Sequence, residues 1–435
     1  MELQPTPELE SRPRAARLAV LRPLRIRDFA LLWTGATVSL LGDGIFVVAI
    51  AWQVYEISNS PSALSLVGLA WTLPLAVFLL AGGIVSDRFD RRRVMIAADI
   101  LRAAAVGAIA VLSLTGHLRL WHLIALAVVY GSGEAFFGPA FSAIVPQIVP
   151  RRLLLEANSL DQFIRPFAFR LVGPAVGGWL VAAFGSGTAF AIDGVTFLAS
   201  AVAVALMAPR PLPREGMGAS VVAEIREGLR FVRAHTWLWG TLLAAAISLL
   251  AFWGPVEVLL PYRIRNELGG GADDFGFVLA VGGVGSIVAA LVLGQRGMPR
   301  RHITVMYSTW VAGGFLLVGF GLATALWHAM AVSFLQGGLF TAGLVIWGTL
   351  MHALVPTRLL GRVTSLDWFV STSLVPVSFA LTGPVAAGIG AEATLIGAGL
   401  VAGAVTLACF FLPGMRDTER SGVLRGALAD PVVPE

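Results

Sequence analysis

Apolar stretches of about 20 residues recur twelve times between Phe29 and Leu412, each long enough to cross a hydrocarbon core of ~30 Å. They fall at 29–55, 63–85, 94–115, 121–148, 154–183, 187–208, 236–260, 274–294, 303–324, 327–353, 364–389 and 392–412. Only 13% of the chain is charged, against roughly 25% in soluble domains. The pattern predicts an all-α polytopic membrane protein with twelve transmembrane helices.

The charges say more by type and place than by sum. All 31 basic residues are Arg. Without Lys, a Walker A phosphate loop and pyridoxal or retinal Schiff bases are excluded. One Cys (Cys409) and six scattered His form no CxxC and no HExxH. The expectation is a protein that is not an enzyme and uses no metal or cofactor. The net charge of +5 does not point to nucleic acid, because the Arg sit in short loops between spans. With the N-terminus inside, 25 Arg fall in inside loops and tails and 3 in outside loops. The positive-inside rule then places both termini in the cytoplasm.

A Pro-containing segment after span 6 leads into an amphipathic stretch, Ser220 to Ala234, suited to the cytoplasmic interface. The expected organisation is a tail at 1–28, a six-helix half at 29–208, a linker at 209–235, a second half at 236–413 and a tail at 414–435. Gly82 and Gly83 before an Arg-rich loop, and Gly294 before Arg296, Arg300 and Arg301, are a faint internal repeat. Two repeated halves around a central site are the usual plan of secondary transporters.

The loop after span 2 reads GIVSDRFDRR from Gly83 to Arg92. Gly83 permits close helix approach, Asp87 can accept from a neighbouring helix N-terminus, and Arg88, Arg91 and Arg92 can pair with carboxylates or lipid phosphates. A loop serving charge asymmetry alone would explain the Arg but not Asp87 or Gly83. With GxxxDRxxRR in this position, the chain resembles the major facilitator superfamily. Gly173, Pro174, Gly177 and Gly178 form GPxxGG in span 5, similar to the hinge motif of the exporter branch; simple small-residue packing is the other reading. FFGPA at 136–140, ANSL at 157–160 and Gly361-Arg362-Val363 are similar to twelve-span exporters that include enterobactin and macrolide efflux proteins.

Ionisable groups inside spans cost ~2.5 to 3.5 kcal/mol each unless they face a cavity or a partner. Asp43, Glu134 and Arg165 count to mid-membrane, and Asn158, Asp161, Gln162 and Arg165 share one face of span 5. Asp43 and Glu134 have no basic residue one turn away and are the leading proton-coupling candidates, with Asp161 and Arg165 either joining them or forming a permanent pair. Glycines flank Asp43, an arrangement expected to admit backbone and water. Arg170 is expected to pair with Asp193, Asp99 and Arg102 to serve the signature loop, and Asp367 to act as a gate partner. Tyr130, Phe137, Asn158, Gln162, Trp253, Gln336, Phe340 and Trp347 are the expected aromatic and polar cavity lining; ordinary interhelix packing is the alternative for the aromatic ones.

The resemblance implies proton-coupled efflux of small lipophilic or amphiphilic molecules by a monomer in the bacterial cytoplasmic membrane, with protons and membrane lipid as its further partners. A siderophore or lipid exporter of the same fold, or a transporter-like ligand sensor, are the alternatives. The signature loop lies about half a membrane thickness, roughly 15 Å, from a midplane cavity. Asp87→Asn is therefore expected to slow transport while equilibrium cargo binding stays unchanged; binding lost in proportion to rate would remove Asp87 from the gate.

Overall fold

The computed structural model describes residues 16–209, 221–422 and 424. Among them there is no strand, and twelve helices are long and apolar enough to cross a membrane. In chain order the spans are Arg27–Ile57, Pro61–Arg88, Arg91–Leu114 and Leu120–Ile148; span 5, in three segments, Leu154–Arg165, Pro166–Val172 and Gly173–Phe184; then Ser186–Ala205. The second six are span 7, with segments Thr236–Gly254, Pro255–Leu259 and Leu260–Asn266; Ala272–Arg296; His302–Gly321; Leu326–Leu354; span 11, in segments Thr357–Ser373 and Val375–Ile389; and Ala391–Phe410. Residues 1–15 and 210–220 of the expected tail and linker, Ser220 among them, lie outside the described residues, as does the side chain of Asp87 in the last turn of span 2.

Prolines mark where two spans leave α geometry. Pro166–Val172 and Pro255–Leu259 are π-helical, each opening on a proline that supplies no backbone donor. A π segment shifts the phase of every side chain that follows it. At the ends of spans 5 and 11, Gly185 (φ 80°) and Gly390 (φ 89°) take the left-handed conformation that lets the chain reverse directly into the next span. The matching position of these two turns in the halves extends the repeat seen faintly in the sequence.

The linker helix, Val221–Ala234, docks rather than lying free at the interface. Gly228 approaches Arg362, and Glu227 pairs with Arg358 at 3.3 Å and with Arg362, both on span 11.

The halves meet mainly at the end remote from the Arg-rich loops. There span 2 packs on Val375–Ile389 of span 11, and Gly173–Phe184 of span 5 packs on span 8. The GPxxGG glycines divide this work. A Cβ on Gly173 would stand 2.7 Å from the Cα of Gly44, and one on Gly177 would stand 2.8 Å from the Cα of Ile45, so these two seat span 5 on span 1. On the other side, a Cβ on Gly178 would stand 2.7 Å from the Ala272 carbonyl oxygen, and one on Gly276 would stand 2.3 Å from that of Pro174. The Tyr55 hydroxyl donates to the Val258 carbonyl, and Asn59 to Asn266 at 3.0 Å, completing the seam. At the Arg-rich end the inner segments pack within their own halves, Leu154–Arg165 on span 1 and Thr357–Ser373 on the linker helix and span 7. Asn158, Gln162, Trp368 and Phe369 are exposed there. The halves are therefore joined at the end remote from the Arg-rich loops and pack separately at the Arg-rich end.

Overpacking a close backbone contact costs about 1 to 3 kcal/mol. Gly178→Leu should wedge spans 5 and 8 apart and slow transport about tenfold or more. Gly388→Leu, at a position with nothing within 4 Å, should not. Transport rates normalised to folded protein check this, and equal rates for the two variants would contradict the seam.

Candidate functional site

Four carboxyl groups from four spans surround one guanidinium in the N-terminal half. Arg102 of span 3 is 3% exposed and pairs with Asp99, one turn earlier, which is 0% exposed. Its planar cation lies between the rings of Phe137 at 4.7 Å and Phe197 at 4.3 Å. Gly133 makes the room: a Cβ there would stand 2.8 Å from Arg102 Cγ. Asp43 and Glu134 both lie within its electrostatic reach.

Each of those two acids is held by a donor with an apolar body. The Tyr130 hydroxyl donates to Asp43 Oδ1 at 2.6 Å, and the Trp71 indole N–H to Glu134 Oε2 at 2.8 Å. Tyr130 stacks on Phe46 at 4.7 Å and meets Trp71 edge-on at 5.4 Å, so one aromatic cluster positions both donors. Asp43 and Glu134 remain partly accessible, whereas Tyr130 is 1% exposed. Behind them Asp193 of span 6 is 0% exposed, with Thr196 donating to its Oδ1 at 3.2 Å. The second carboxylate oxygens of Asp99 and Asp193 and the Arg102 Nε are buried without partners.

Several sequence expectations are corrected here. Asp99 and Arg102 belong to this cluster and not to the signature loop, and Arg102 joins Arg165 as a cation for Asp43 and Glu134. The acid and base at i, i+3 in mid-span were the signal for it; nothing in the sequence pointed to Trp71. The glycines beside Asp43 serve packing: a Cβ on Gly42 would stand 2.3 Å from Asp193 Oδ1, and one on Gly44 would meet the Gly173 backbone. Asp193 thus faces Asp43, and its expected pairing with Arg170 does not form. Asp161 and Arg165 do approach, at 3.8 Å, but the Arg165 side chain is 56% exposed, so the pair lines open space.

In the signature loop Asp90 caps span 3 by accepting from the Arg92 N–H at 3.0 Å. Arg91 donates to the Ala143 carbonyl at 2.9 Å, and Arg92 to the Val204 and Ala205 carbonyls, where cations suit the end of span 6. Arg88 is exposed. Gly82, not Gly83, makes the close approach, to the Ala135 carbonyl oxygen; a Cβ on Gly83 would meet nothing within 4 Å. Asp367 accepts from the Trp347 indole at 3.3 Å inside its own half.

The expected cavity lining divides. Asn158 and Gln162 are exposed and Phe137, Trp253 and Phe340 partly so. Tyr130 is committed to Asp43, Trp347 packs on Trp237, and Gln336 is buried beside Gly313 of span 9, so these three belong to the packing.

A family model described as transmembrane secretion effector matches residues 18–432. The multidrug efflux pump Tap of Mycolicibacterium fortuitum is 30% identical over 416 residues, which cover 91% of this chain and 97% of that protein. Macrolide efflux protein A of Streptococcus pyogenes is 25% identical over 390 residues, 88% of this chain and 95% of that one. Among solved structures, a D-xylose-proton symporter superposes with a TM-score of 0.69 at 16% identity, over 89% of this chain and 98% of the other, a likeness of fold alone. Twelve spans in this arrangement, and a family match over nearly their whole length, make the chain a transmembrane secretion effector, an integral membrane transporter of the major facilitator superfamily.

Proposed function

We propose that this chain exports small lipophilic or amphiphilic molecules across the bacterial cytoplasmic membrane in exchange for protons. The observation that carries the reading is the cluster of Asp43, Glu134, Asp99 and Asp193 around Arg102, two of whose acids are partly accessible while two are sealed. Several uncompensated negative charges are costly at this depth. Proton uptake lowers that cost and proton loss restores it, so the cluster's charge state can bias one orientation of the halves against the other. Tyr130 and Trp71 hold Asp43 and Glu134 in place, and Arg102 offsets charge when they ionise.

The Arg distribution supports a cytoplasmic location for both termini and for the open end. In that orientation the structure corresponds to the state that collects cargo from the cytoplasm or inner leaflet. The alternate state, with the seam parted, would load a proton from outside. Each proton returning inward contributes about 2.3 kcal/mol per 100 mV of potential. The names of the relatives support efflux over uptake, and the apolar lining supports a lipophilic cargo.

Fixing a coupling acid in a neutral form should abolish accumulation driven by a pH gradient and leave gradient-free exchange. Glu134→Gln is expected to do so most completely, since its hydrogen-bond partner is a single indole N–H. Asp43→Asn should act likewise, its amide oxygen still able to accept from the Tyr130 hydroxyl. Proteoliposomes loaded with a fluorescent dye, with and without an imposed gradient, check both. Parental accumulation in both variants would end the reading.

A further inference from the structure

A second charge pair lies across the seam. Arg170 sits in the π segment of span 5, its carbonyl oxygen against Gly283 of span 8, and Glu257 sits in the π segment of span 7, beside the Val258 carbonyl that accepts from Tyr55. Arg170 and Glu257 lie within electrostatic reach of each other. Among the described residues no hydrogen bond or close ion pair locks them together. The guanidinium instead lies over the ring of Phe340 at 5.7 Å, and Phe340 stacks on Phe252 with centroids 6.4 Å apart and planes 8° from parallel. Arg170, Glu257, Phe252 and Phe340 are all partly accessible.

Ring faces with a carboxylate in electrostatic reach are the chemistry that recognises organic cations. Here that place is filled by a side chain held through charge and a ring face alone, which a mobile cation of the same chemistry can displace. We propose that Glu257, Phe340 and Phe252 form a binding site for the cationic head of a lipophilic cargo, with Arg170 as its resident occupant when cargo is absent. Displacing Arg170 would also remove an attraction across the seam, so occupancy would favour parting of the sealed end. The proposal deepens the exporter reading and rests on it for its biological sense, but its test needs neither transport nor a gradient.

The test is equilibrium binding of tetraphenylphosphonium, a lipophilic cation, to the purified full chain in nanodiscs, beside the neutral analogue triphenylphosphine oxide. Glu257→Gln should weaken cation binding about tenfold or more, and Phe340→Leu about threefold, with little effect on the neutral analogue. Arg170→Gln should tighten cation binding severalfold, because it removes the competitor; a merely structural role predicts no gain. Unchanged binding in Glu257→Gln, or no gain in Arg170→Gln, would overturn the site. Should Glu257→Gln fail to fold, the Arg170→Gln result decides alone, tighter binding supporting the site and anything else overturning it. A chain that binds the probe but never accumulates cargo would sink the exporter reading and leave the site standing. One that exports neutral dyes yet does not bind the cation would overturn the site alone.

Discussion

A guanidinium buried among four carboxyl groups sets the conditions for the rest of the N-terminal half. Arg102 cannot shed its charge, so the span that carries it must supply counter-charge and ring faces at the same depth. Asp99 supplies the first from one turn away, and Phe137 and Phe197 the second from spans 4 and 6. Asp43 and Glu134 are held beside it by a hydroxyl and an indole. Gly133 and Gly42, which bring Arg102 and Asp193 inward, matter for that electrostatic arrangement as much as for packing.

The two halves carry unequal burdens. The N-terminal half concentrates buried charge, whereas the C-terminal half presents rings, with Glu257 at the seam and Asp367 tied to Trp347. Between them the seam combines close glycine–backbone contacts with side chains that must separate when it parts, Phe379 on Gly68, Tyr55 on Tyr262 and Asn59 on Asn266. Gly178 against Ala272, and Gly276 against Pro174, are contacts that can close tightly and release without a rotamer change. The signature loop works at the opposite end, where Arg91 and Arg92 gather the carbonyls of spans 4 and 6 into one rigid corner.

What the sequence revealed was local. Span 6, expected at 187–208, is Ser186–Ala205, and span 4, expected at 121–148, is Leu120–Ile148, because membrane crossing is a property of about 20 consecutive residues. Span 11 begins at Thr357, not 364, since Arg358 and Arg362 read as loop residues but pair with the linker helix inside a helical turn. Pairing between spans was far less legible. Counting puts Arg170 and Asp193 at one depth, but in the π segment opened by Pro166 Arg170 lies against span 8 and over Phe340 of the other half. Glu134 could be placed at depth by counting, but its Trp71 partner depends on how span 2 meets span 4, which no single span records.

The account stands on the claim that this buried cluster takes up and gives off protons. Infrared difference spectra of the purified chain, recorded between acidic and alkaline buffer, detect the carbonyl stretch of protonated carboxyl groups directly. The account predicts such a band in the acid form, lost on alkalinisation and diminished in Glu134→Gln. A spectrum with no protonated-carboxyl band, or with a band identical in that variant, would contradict it.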